Sequence, residues 1–114
     1  MSNEEDRRKY FRVRYPNIAH PLLVLRDKAL AVTELSEGGM RVLEMDPNIP
    51  KGTPVTGRLE LLHGEQFEVE AQVGRWEAEE CVLVYLSGIT FASVMREQQH
   101  LVQEFPDFRP NKEA

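Results

Sequence analysis

Apolar and polar residues alternate most regularly in FEVEAQVGRW, residues 67 to 76, where Phe67, Val69, Ala71 and Val73 share one parity and Glu68, Glu70 and Gln72 the other. A strand repeats every two residues, so the pattern predicts a long strand with one face in a core and one in water. Shorter apolar runs occur in HPLLVLRD (20–27), in ALAVTEL (29–35), in MRVLE (40–44) after the SEGG break, and in VTGRLELL (55–62), where Leu59 and Leu61 share a face. The stretch from Asp46 to Pro54 holds three prolines and one glycine and reads as a loop. In VLVYLSGITF, Val82, Val84 and Leu86 are in phase, whereas Ile89 and Phe91 have the opposite parity. A bulge near Ser87-Gly88 would restore the inward face.

The periodicity then changes. Val94, Leu101, Val102 and Phe105 fall on one helical face, Ser93 stands where an N-cap is expected, and Pro106 ends the pattern. The capping-box glutamate is missing, because Arg96 lies three residues after Ser93. Together these elements predict one mainly β domain over residues 1–114, a six-stranded antiparallel barrel over 20–91 with a C-terminal helix over 93–105. Residues 1–6 are expected to be disordered and 109–114 frayed.

Charge adds an asymmetry to this picture. RRKYFRVR, residues 7–14, carries five of the chain's 14 basic residues, although the formal net charge is -5. Residues 15–114 hold 9 basic and 16 acidic side chains, a body that repels a long polyanion. No DNA or RNA partner is therefore expected. Four of the five charges are arginines, the residue suited to bidentate recognition of phosphate or guanine edges, and Tyr10 and Phe11 interrupt them. A small anion gripped by a flexible arginine-rich arm over 7–14 suits such a cluster.

Other chemistry is sparse. His20, His63 and His100 are scattered, none at metal-ligand or nucleophile-base spacing from the single cysteine, Cys81. Glu77, Glu79 and Glu80 read as a solvated hairpin turn. No enzymatic activity, metal or cofactor is expected. No apolar run is long enough to span a bilayer, and no secretory signal is evident at the start. The lone cysteine fits a reducing cytoplasm.

In ELSEGGM, residues 34–40, Glu34 and Ser36 share a strand face, and Gly38-Gly39 allows a tight turn and close approach. Arg8-x-x-x-Arg12, with Arg7 before it, followed by Glu34-x-Ser36-x-x-Gly39, resembles the PilZ domain, a bacterial receptor module for cyclic di-GMP. The resemblance extends over roughly residues 7 to 105. It departs from the family pattern at Glu34, where the family has Asp or Asn. Glutamate keeps the charge and both acceptor oxygens but reaches one methylene further.

The resemblance implies a six-stranded barrel commonly followed by a helix. Arg7, Arg8 and Arg12 would contact the phosphates and guanine edges of the ligand, Glu34 and Ser36 a guanine edge, and Gly39 would allow close approach. Trp76 matches a place where some members put a ring against a guanine, and Arg41 lies close enough in sequence to join the site. The expected function is that of a cytoplasmic cyclic di-GMP receptor whose N-terminal arm and surface change on binding, so that an unidentified partner protein in motility, biofilm or virulence output is regulated. One rival is a nucleotide-independent PilZ adaptor for a motility or pilus protein; another is a small barrel binding single-stranded nucleic acid.

Overall fold

In the computed structural model, which describes residues 11–109, the alternating segment becomes the longest strand. In chain order the elements are β1 (Arg12–Arg14), β2 (Leu22–Val24), β3 (Ala29–Ser36), β4 (Gly39–Leu43), β5 (Pro54–Glu60), β6 (Gln66–Glu77), β7 (Glu80–Ser87) and α1 (Phe91–Glu104). Every pairing is antiparallel. Strands run β3-β2-β5-β6-β7-β4, and β4 pairs back onto β3, closing the expected six-stranded barrel. The expectations for residues 1–6 and for 110–114 fall outside the described residues.

One strand was not expected. Residues 12–14 do not form a free arm but a seventh strand, β1, which pairs with the end of β3 on the edge that β2 occupies further back. The reason lies in its own alternation: Val13 is fully buried between exposed Arg12 and Arg14, and Tyr15 is buried beyond them. Val13, Leu35, Met40, Leu83 and Val73 lie opposite one another across β1, β3, β4, β7 and β6. All five are buried and form the central row of the core.

Two bulges correct the sequence-level parity. Leu83, not Val84, points inward in β7, because Met40 and Val73 on the neighbouring strands face it. The β7 bulge lies at Tyr85 and Leu86, which together oppose Ala71, rather than at Ser87-Gly88. It turns Leu86 and Ile89 into the core. In β6 the extra residue is Gly74, where a Cβ would meet Val84 Cγ1 at 2.8 Å. Past this glycine the alternation reverses, so Arg75 points outward and Trp76 inward, opposite buried Cys81.

The helix begins earlier than expected. Its N-cap is Thr90, whose hydroxyl accepts from the Ser93 backbone N–H at 3.2 Å; Ser93 itself is buried inside the first turn. The buried stripe is Ser93, Val94, Glu97 and Leu101, while Val102, expected inside, is about half exposed. Helix α1 packs on β1 and β3, and the rings of Phe11 and Phe91 meet edge to face at 6.3 Å. No helix among the described residues is long and apolar enough to cross a membrane.

Glu97 is the unexpected member of that stripe, a carboxylate with 0% exposure. It accepts from Tyr15 Oη at 2.7 Å, from the backbone N–H groups of Leu62 and His63 at 2.9 and 3.0 Å, and meets His63 Nδ1 at 2.6 Å. Helix, β5–β6 turn and the chain just after β1 are thus joined at one side chain. Burial works against a charged His63, but Glu65 and Glu97 on its two ring nitrogens outweigh it and raise its pKa. Burial first, and Glu97 second, push the Tyr15 hydroxyl well up, which keeps it a donor.

Replacing Glu97 by alanine leaves Tyr15 Oη, the backbone N–H groups of Leu62 and His63, and His63 Nδ1 without their partner. Glu97→Ala is expected to lower stability by about 3–5 kcal/mol in urea unfolding, and Glu97→Gln by less. For His63, a folded pKa above the unfolded value near 6.5 means that its contribution is complete below that pH and is lost as pH rises through the folded value. Wild-type stability is expected to decline as pH rises above about 6.5, and the decline to flatten in His63→Gln.

Candidate functional site

The inward row of the core has an outward counterpart on each side. Arg12, Ser36, Gly39, Val84 and Gln72 lie opposite one another along the first; Arg14, Glu34, Arg41, Val82 and Arg75 along the second. Because residues two apart on a strand share a face, these rows bring side chains from five strands onto one patch of the outer surface. Between them lies an open hollow of about 220 Å³, lined by Arg12, Glu34, Ser36, Gly38, Gly39, Arg41 and Arg75 over a floor of Val82, Leu83 and Val84.

Charge dominates the patch. Glu34 lies 3.7 Å from Arg12, 3.4 Å from Arg14 and 3.7 Å from Arg41. Arg14 also reaches Glu80 at 2.9 Å, and Arg41 reaches Glu77 at 2.6 Å. Arg75 completes the group, its Nε 2.5 Å from Glu77. Four guanidiniums thus face three carboxylates, leaving one positive charge in excess. Arg75 and then Arg41 hold the Glu77 carboxyl below its ordinary range. Burial pushes Glu80 up, but hydrogen bonds and the charges of Arg14 and Arg41 outweigh it and lower its pKa.

The β3–β4 turn is shaped by its own residues. Ser36 Oγ accepts from the Gly38 N–H at 3.3 Å and donates to the Gly39 carbonyl at 3.2 Å, leaving one lone pair for a further donor. Gly39 is required by a neighbouring strand: a Cβ there would stand 2.7 Å from the Leu83 carbonyl oxygen. The close approach seen here is that of β4 to β7.

Of the residues singled out in the sequence, Arg12, Glu34, Ser36 and Gly39 meet at this hollow, together with Arg41. Arg7 and Arg8 lie outside the described residues. Trp76 does not join the group. It lines a separate hollow of about 400 Å³ with Leu43, Met45, Pro47 and Ala78, because the Gly74 bulge turns it to the inner face. The sequence reading missed Arg14, Arg75, Glu77 and Glu80. Arg12 and Arg14 on alternate positions were a legible sign, whereas the acidic turn looked solvated because its partners come from other strands.

A solved structure with a related shape is the crystal structure of an uncharacterized Legionella protein, 20% identical, covering 86% of this chain and 96% of that chain with a TM-score of 0.48. No curated protein matches the chain in sequence. The sequence pattern of the PilZ domain matches residues 6–105, nearly the whole chain, and describes domains that act as receptors and adaptors rather than as enzymes. With that match over a closed six-stranded barrel, the chain belongs to the PilZ domain family.

Proposed function

We propose that the protein is a cyclic di-GMP receptor acting on a partner protein. The observation that carries this reading is the outward row joining Arg12 to Ser36 and Gly39, with Glu34 and Arg41 beside it. Guanidiniums suit the ligand's phosphates, and the free lone pair on Ser36 with the Glu34 carboxylate suits the N–H edge of guanine. Arg7 and Arg8 enter by their place in the family motif, and they supply the positive charge that a dianion requires.

The same arrangement suggests how binding is transmitted. Arg12 and Arg14 sit on β1; the next residue, Tyr15, is held by Glu97 of α1, and Phe11 just before β1 touches Phe91. A ligand that draws on β1 therefore alters the docking of α1, and with it the surface a partner reads.

A second reading, a nucleotide-independent adaptor, is favoured by one observation. Glu34, Glu77 and Glu80 already occupy the guanidiniums, so the patch is nearly neutral without ligand.

Calorimetric titration decides between them. Cyclic di-GMP is expected to bind the intact protein saturably in the micromolar range and not to bind Arg8→Ala/Arg12→Ala; no heat with the intact protein would leave the adaptor. Glu34→Asp shortens the carboxylate and loosens its hold on Arg12, Arg14 and Arg41. It is expected to tighten binding about tenfold to a hundredfold, equivalent to about 1.5–3 kcal/mol, and unchanged or weaker binding would assign Glu34 a favourable role as it stands.

A further inference from the structure

Tyr85 is the residue of β7 that neither the fold nor the proposed site accounts for. It occupies the bulge with φ 55°, in the left-handed region that residues with a Cβ disfavour and that is a true outlier for a bulky ring. Its side chain is 77% exposed, so the ring adds little to the core. The bulge itself needs only a backbone able to adopt that angle, which Gly or Asn supplies with less strain. An aromatic residue held at this angle on the surface marks the position as one to consider for function.

Its place is informative. Val84, just before it, lines the hollow, and Leu86, just after it, donates its N–H to the Gly38 carbonyl at 3.1 Å. Tyr85 is thus held at the rim of the Ser36–Gly39 turn, on the strand next to Gly39. Among the described residues the hollow offers hydrogen-bonding and charged groups but no aromatic ring: its lining is arginine, glutamate, serine, glycine, methionine, valine and leucine. A nucleobase whose edge meets Glu34 and Ser36 finds no aromatic side chain among the described lining residues on which to stack. An exposed phenol at the rim supplies one, since stacking of bases on aromatic side chains is favourable and tolerant of base identity.

We propose that Tyr85 is a ligand-contacting residue, the stacking platform for a purine base bound at the Ser36–Gly39 turn. This rests on the cyclic di-GMP reading and adds a contact to it.

The test is titration of cyclic di-GMP into the full chain and into Tyr85→Phe, Tyr85→Leu and Tyr85→Gly, with thermal melts of each. Tyr85→Phe is expected to bind within about twofold of wild type, and Tyr85→Leu and Tyr85→Gly to bind about tenfold to a hundredfold more weakly. Tyr85→Gly is expected to melt at the wild-type temperature or above it, because the strain at φ 55° is relieved. Wild-type affinity in Tyr85→Leu and Tyr85→Gly would overturn the stacking role while leaving the receptor reading intact. A lower melting temperature in Tyr85→Gly with unchanged affinity would assign the ring to the fold and overturn it equally. Absence of binding by the wild-type chain would overturn the receptor reading, and the stacking role with it.

Discussion

The register of the inward row Val13–Leu35–Met40–Leu83–Val73 is the constraint on which the rest depends. Side chains alternate strictly, so a slip of one residue in any of these strands would send a core residue to water and a charged one to the interior. With the row in place, Arg12 and Ser36 fall on one side of it, and Arg14, Glu34, Arg41 and Arg75 on the other. The charged patch is the outer imprint of the core packing beneath it.

That imprint needs internal counter-ions. Four guanidiniums within reach of one another repel, and Glu34, Glu77 and Glu80 hold them together from three different elements. Glu34 is the most heavily shared and is only 16% exposed, close enough to Arg12, Arg14 and Arg41 to act on all three. The longer side chain at this position, compared with the aspartate or asparagine of the family motif, is what gives it that reach. On the proposed reading, ligand phosphates take over part of the role that these carboxylates have in the free protein.

The buried carboxylate of Glu97 performs a related task away from the surface. A charge in the interior is tolerated only when its lone pairs are used, and here donors from Tyr15, Leu62 and His63 use them. Such a contact has one satisfactory geometry, which makes it a sensitive link. It ties Tyr15, the residue just after β1, directly to α1.

The barrel was legible in the sequence because its signals are local: period-two alternation in residues 67–73, the Gly-Gly turn at 38–39, the proline-rich loop from 46, the terminal helix. The ordered pair Arg12 and Glu34-x-Ser36-x-x-Gly39 was also legible, since motif spacing needs no contacts. What only the tertiary structure decided depends on partners distant along the chain. Strand β1 exists because β3 offers Leu35 and a core that accepts Val13. Trp76 turns inward because Gly74 bulges against Val84, a reversal that counting parity cannot show. Glu97 reads as an ordinary polar helix position until three donors, 34 to 82 residues away, surround it. Alternation along one strand is set by backbone geometry alone, whereas which strand lies opposite, and in what register, is set by the whole core at once.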